Sequence, residues 1–192
     1  MEPEEFKRQL EQLRQVIIDG VRYFTAWRGL MVEDKSSARG LNRYRDFFIP
    51  ARQALLKIAL LEFDAVFDPD SRTVSFTNLL REATIDRQNL IPYATDESLR
   101  EIRRKMKVNK DLLKSLNKHR DKLIAHHDRI VPRDSSITYG PFRDLIEDVQ
   151  YMYNLLSAGH DNSRTLFEWA ARDTQTHTPR LVDFMREQVG KH

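Results

Sequence analysis

The stretch TDESLREIRRKMKVNKDLLKSLNKHRDKLIAHHD, Thr95 to Asp128, decides the fold class. Thr95 has an N-cap side chain, and Asp96 and Glu97 follow where acids suit the positive end of a helix dipole. Leu99, Ile102, Met106, Leu113, Leu116 and Leu123, with Ile124 beside it, then recur at steps that place them on helical faces. One helix of about thirty residues is expected, the length over which the pattern persists. Val108 and Leu112 fall on other faces, as on a helix touched from more than one side.

Working outward, the same periodicity holds nearly everywhere. Pro3, Glu4 and Glu5 suit a first turn, and Phe6, Leu10, Leu13, Ile17, Val21 and Phe24 mark one face of a helix of at least five turns. Asp34 to Asn42, with Ser36, Ser37 and Gly40, reads as a loop. A helical block from about Tyr44 to Phe67 follows, with a kink or break expected near Ile49 because of Pro50. Its later part (Ala54, Leu55, Ile58, Leu61, Ala65) is the most apolar of the chain and is expected to be the central core helix. Asp68 to Ser71 reads as a turn, Phe76 to Ile85 as a short helix, and the residues through Pro92 as a loop. Beyond a loop over Val131 to Gly140, Pro141 opens a helix with Leu145, Val149, Met152 and Leu156, closed by Gly159. Two short helices are expected at the end, one after Asn162 or Ser163 with Leu166, Phe167 and Trp169, one starting at Thr178-Pro179. Strand signals are confined to Arg72 to Phe76, too short to build on. An all-α bundle of four to five core helices plus short C-terminal helices is expected, forming a single domain over 1–192.

Composition limits the function classes. With no cysteine among its 192 residues, the chain has neither a disulfide framework nor a thiolate zinc site, and suits a reducing compartment. No apolar run approaches the ~20 residues of a membrane span, and MEPEEFKRQL lacks the features of a signal peptide. A soluble, cytoplasmic protein without a membrane partner is expected. The net charge is only +3, but Arg100 to Lys122 holds ten Lys/Arg against three acids, a local charge of +7. The remainder is therefore net acidic, and the asymmetry points to one surface. Arg103, Lys107, Lys110, Lys114 and Lys118 recur at steps of three and four, and with Lys122 could track a phosphate backbone. A plain solvated face is the alternative.

The helix ends in KHRDKLIAHHDR, Lys118 to Arg129. Arg120 shares the stripe of Leu113, Leu116 and Ile124, and a guanidinium on a buried stripe must be paired or aimed at a ligand. Glu62 or Asp64 could be its partner. On a straight helix His127 lies about 20° from Arg120 around the axis and His126 about 120° away.

The run Arg120, Asp121, Lys122, Leu123, Ile124, Ala125, His126, His127, Asp128 resembles the Arg-x(4–6)-His motif of the HEPN superfamily. It is closest to the RDK-x-x-AH-x-D run of the abortive-infection U-type branch. The order of elements agrees from Met1 to about Gly159, which implies a HEPN-like core over 1–159 and a C-terminal helical extension over 160–192. The resemblance further implies a homodimer in which two motifs face one cleft, and a metal-independent, cofactor-free endoribonuclease of toxin or antiphage type. Arg120 would then hold the scissile phosphate through its planar fork of donors. His126 would move protons, a task that its unperturbed pKa of about 6.5 suits, and Asp121 would orient one of these groups. The product would be a 2′,3′-cyclic phosphate. The family pattern selects His126; the helix geometry keeps His127 as its alternate.

Other readings stand beside this one. His126-His127-Asp128 lacks the spacing of a helical zinc site, so no metal is expected. His119 and His160 are expected at the surface, Trp27 and Trp169 in a core or interface, while Asn78, Arg81 and Arg87 form no pattern. A non-catalytic helical interaction module, with an antitoxin or regulatory protein as partner, would use Arg120 as an internal ion pair. An RNA- or nucleotide-binding module would bind in a salt-dependent way without cleaving.

Overall fold

The computed structural model describes residues 1–125 and 137–189, with side chains for all of these but 121–125 and Val189. The described residues are mostly helical and contain no strand. The helices are α1 (Pro3–Gly29), α2 (Lys35–Asn42), α3 (Arg45–Val66), α4 (Phe76–Ile85), α5 (Arg87–Leu90), α6 (Asp96–Val108), α7 (Lys110–Ala125), α8 (Tyr139–Asp161) and α9 (Phe167–Val189). None of them is long and apolar enough to cross a membrane.

The chain divides into two compact units, the first formed by Met1–Ile17 with Leu61–Thr165. Its core draws Phe6, Leu10, Leu13 and Ile17 from α1, all within 4% exposure, as their spacing predicts. Phe63 and Val66 of α3, Phe76 and Leu79 of α4, Leu99 and Ile102 of α6, Leu116 of α7, and Phe142, Leu145 and Met152 of α8 complete it. Phe63 meets Phe142 edge to face, centroids 5.7 Å apart, in the geometry that the ring quadrupole favours. Thr95 caps α6 as expected, accepting from Ser98 N at 3.1 Å, and Ser75 caps α4 by accepting from Asn78 N at 3.2 Å.

The second unit takes Ile18–Leu60 and the chain from Leu166 on. Leu30, Leu41, Phe48, Val182 and Met185 form a buried cluster there, with Val32 and Leu55 packed against it. α2 lies along α9 so closely that a Cβ on Gly40 would sit 2.9 Å from backbone atoms of Met185 and Arg186.

Several local expectations are corrected. The loop expected over Asp34 to Asn42 is α2: Asp34 caps it, its Oδ1 accepting from Ser36 N (3.1 Å) and Ser37 N (2.8 Å). These bonds hold the Asp34 carboxyl well below the usual carboxylate range, the Ser36 side chain contributing most. Pro50 does not break α3, because it sits in the second turn, where it forgoes a single bond to Asp46. The stripe expected to form the core of α3 is rotated: Ala54 and Ala65 are exposed, Leu55, Ile58 and Leu61 are half-buried, and Phe48, Ala59, Leu60, Phe63 and Val66 are the buried apolar set. Gly159 lies inside α8 against Ala94, and the helix closes at Asn162, whose left-handed backbone (φ 60°) returns its N–H to Ala158 O at 3.0 Å. The two short C-terminal helices are one, α9, which passes through Pro179.

The helix of about thirty residues is also two. Asn109 (φ −83°, ψ 0°) separates α6 from α7. Its Nδ2 donates to Lys105 O at 3.0 Å and to Asp148 Oδ2 at 2.8 Å, while Asn109 O accepts from Leu113 N at 2.9 Å. An asparagine side chain that satisfies backbone groups locally competes with the continuous ladder. Asp148 also pairs with Lys105, whose ammonium stands 5.3 Å from the centroid of the Tyr151 ring.

Candidate active site

α7 is anchored by Leu116, 1% exposed, with Leu112 and Leu113 half-buried beside it. One turn past Leu116, Arg120 leans toward the last turn of α3, which supplies Asp64 between the buried Phe63 and Val66. Arg120 Nη1 lies 2.9 Å from Asp64 Oδ2 and 3.8 Å from Asp68 Oδ2. Asp64 is 6% exposed, and its helix terminus already carries partial negative charge, so a neighbouring cation is what makes the acid tolerable there. Arg120 keeps 28% of its side-chain surface in contact with solvent. The guanidinium is therefore gripped by two carboxylates on a side chain that is not fully buried.

The turn that carries Asp68 is fixed by its own bonds. Asp68 Oδ1 accepts from Asp70 N at 2.9 Å, and Asp68 O accepts from Ser75 Oγ at 2.6 Å. Asn78, which formed no pattern in the sequence, is 5% exposed and donates from Nδ2 to Asp70 O (2.6 Å) and Thr73 O (3.0 Å). These bonds brace the turn that carries Asp68, while Asp64 stands on α3 itself.

The expected site residues fare differently. Arg120 is brought to Asp64, one of the two partners that the sequence offered; Asp68 was missed, because a turn residue two positions from α3 leaves no periodic signal. Asp121 and Lys122 lie on α7, but their side chains are outside the described residues, as are His126 and His127 altogether. Arg103 and Lys107 on α6 and Lys110, Lys114 and Lys118 on α7 are all exposed. Lys114 Nζ stands 3.8 Å from Asp111; among the described residues no carboxylate comes within 4.0 Å of the other four. The break at Asn109 turns the single expected stripe into two, one on each helix.

His160 is not a simple surface residue: its Nδ1 is 2.6 Å from Leu90 O and its ring 5.2 Å from Phe6. His119 is half-buried, as is Trp27, whereas Trp169 is 65% exposed with the Arg172 guanidinium 5.5 Å from its ring. Among the described residues no group of three or more His, Cys, Asp or Glu could hold a metal ion.

The family model of the HEPN domain described as AbiU2 matches residues 3–183, which takes in α1 through most of α9. No curated protein and no solved structure matches the chain. An all-helical fold, an arginine held at the end of the motif helix and a match over nearly the whole length lead to one statement of kinship: the chain belongs to the AbiU2 family of HEPN domains.

Proposed function

We propose that this chain is a metal-independent endoribonuclease of the abortive-infection or toxin kind, working as a homodimer with a composite Arg/His site. The observation that carries the reading is Arg120 itself, held by a buried acid at 2.9 Å on a side chain that stays 28% exposed, toward the end of a helix with exposed lysines. Carboxylates at two distances restrict the rotamers of a long side chain, so less freedom is lost when a phosphate arrives.

In the reaction the 2′-hydroxyl attacks the adjacent phosphorus and gives its proton to an imidazole. The P–O5′ bond breaks, and the leaving oxygen takes a proton from an imidazolium. The products are a 2′,3′-cyclic phosphate and a 5′-hydroxyl, with no net proton consumed. His126 would serve in both steps, one copy from each protomer, with His127 as its alternate, Asp121 orienting it, and Arg120 stabilising charge on the phosphoryl oxygens. A dimer is supported by α3, where Ala54, Ile58, Leu61 and Ala65 form an apolar stripe at helical spacing that stays wholly or partly exposed. Arg103, Lys107, Lys110, Lys114, Lys118 and Lys122 would carry the RNA backbone. A toxin of this kind would need an antitoxin or other regulatory protein as a restraining partner.

The test is cleavage of RNA in EDTA by the wild type, Arg120→Ala, His126→Ala and His127→Ala, with helical circular dichroism as control. The expected result is a loss of at least about 100-fold for Arg120→Ala, the scale on which one oxyanion donor counts, and a like loss for one of the histidine variants. Equal cleavage by all four proteins sinks the reading.

The Arg120–Asp64 ion pair also favours a second reading, a non-catalytic helical module in which the pair joins α7 to α3. There Arg120→Ala costs about 1–3 kcal/mol, below the ~3–5 of a fully buried pair because Arg120 is partly solvated. No cleavage would be lost, since the wild type would show none.

A further inference from the structure

A second group of arginines lies in the first unit, apart from Arg120. The first turns of α6, the end of α4 and α5 enclose a cleft of about 330 Å³ lined by Thr84, Arg87, Asp96, Leu99, Arg100 and Arg103. Three arginines and one acid, Asp96, line it, and Arg87 is the one paired with that acid. Arg87 is fixed from two sides, pairing with Asp96 through Nη1 and donating to Ala94 O through Nη2. Asp96 is held below the usual carboxylate range chiefly by the Arg87 hydrogen bond, with the charges of Arg87 and then Arg100 adding to it. Among the described residues neither Arg100 nor Arg103 has a carboxylate within 4.0 Å. Leu99, 6% exposed, forms an apolar floor. The cleft thus has two guanidiniums more than its own acid and a hydroxyl at its edge.

We propose that this cleft is a phosphate-docking site for a single RNA strand, distinct from the Arg120 centre. An excess of planar forks around one cavity matches the charge and geometry of phosphate oxygens, and arginine binds them through paired donors. The strand has somewhere to go from there. Arg100 and Lys107 lie seven residues apart on α6, about 20° around the axis, with Arg103 between them. Lys110, Lys114 and Lys118 form the next exposed row on α7. The cleft anchors one phosphate, and the lysines carry those that follow. Only the choice of RNA over DNA rests on the reading under Proposed function; the phosphate chemistry does not.

The probe is a 3′-fluorescein single-stranded RNA carrying either a 5′-hydroxyl or a 5′-monophosphate, titrated in EDTA over a range of salt. Wild type, Arg100→Gln/Arg103→Gln, Arg100→Lys/Arg103→Lys and a control, Lys7→Gln/Arg8→Gln, are compared by anisotropy. All work is done on the full chain in the Arg120→Ala background, so that cutting of the strand is suppressed. The glutamine pair should bind at least about tenfold more weakly, and its slope of log K against log salt should be shallower by about 1.4, two contacts at about 0.7 each. The lysine pair should fall between, since charge is kept and the fork lost, and the control should stay near the parent. A preference for the 5′-monophosphate that vanishes in the glutamine pair assigns a terminal phosphate; equal binding of both probes, lost in the glutamine pair, assigns an internal diester. Unchanged affinity and slope in the glutamine pair, an equal loss in the control, or no RNA binding by the parent overturns the proposal. Loss of binding in the glutamine pair stands even if the intact wild type cleaves nothing, so the two readings fail separately.

Discussion

At the residue scale the contact that matters most is Arg120 with Asp64. A guanidinium ion-paired with a buried carboxylate is preorganised but also partly neutralised, and the two effects oppose each other when a phosphate approaches. Asp64→Asn keeps a hydrogen-bond acceptor while removing the competing charge. If Arg120 is a phosphate ligand, this variant should bind RNA at least as tightly as the wild type but cleave it about 10-fold more slowly, because orientation is loosened. KM and kcat measured together check this, and a fall in both binding and turnover would instead mark Asp64 as a pure scaffold. The sequence made this pair legible, since Arg120 on an apolar stripe demands a partner, and Asp64 lies in the core-facing block. Asp68 and the Asn78 brace beneath it were not legible, because each acts through turn geometry that no period records. Tyr153 gives a second residue-scale prediction. Burial pushes its phenol up to about 12, and the hydroxyl donates to Leu10 O at 3.3 Å, a bond that needs the proton. An unfolded tyrosine titrates near 10, so the folded state holds its proton more tightly between about 10 and 12. The stability tied to this group is fully present below pH 10 and is lost as pH rises toward 12, by about 2–3 kcal/mol for a two-unit shift. Denaturant melts of wild type and Tyr153→Phe across that window check it: the variant should show the shallower decline.

At the element scale, periodicity and capping rules located most helices, and the errors share a cause. Asp34, Ser36, Ser37 and Gly40 look like loop material because these residues compete with helix interiors, but three of them build the cap of α2. Gly40 is there for space, not flexibility: α9 passes too close for a side chain. Gly40→Ala should therefore destabilise the protein by about 1–3 kcal/mol, the range for overpacking, although alanine is the better helix former. Thermal melts decide between these opposed signs, and a rise in melting temperature would mean that α2 and α9 are less tightly apposed. Thr178-Pro179 misled in the same way. A proline inside a helix costs about 3 kcal/mol locally, yet α9 runs on because Phe167 and Ala171 before it and Val182 and Met185 after it are all buried. Tertiary burial outweighs the local preference. At Asn109 the failure is reversed: an unbroken apolar pattern hides a break made by a single side chain bonded to Asp148.

At the scale of the whole molecule, charge and apolar surface are separated along the chain. The acids and bases nearly cancel over the full length, while Arg100 to Lys122 alone is +7. The stripe expected to be the core of α3 is exposed at Ala54 and Ala65 and half-buried at Ile58 and Leu61. The sequence showed how apolar that stripe is, but no spacing rule says whether its cover comes from the same chain or from another copy. If a second copy covers it and the two motifs share one cleft, activity must depend on concentration. Specific activity of the wild type should then fall on dilution below the dimer dissociation constant, in step with the fraction of dimer seen by light scattering. Ala54→Glu places a charge on the exposed end of the stripe, where it need not disturb the monomer, and should shift the protein to monomer with a loss of cleavage and no loss of helical signal. A protein that stays monomeric in the wild type, or that keeps constant specific activity across the dissociation range, would place the whole reaction inside one chain. Arg120 would then have to find its imidazole within its own chain.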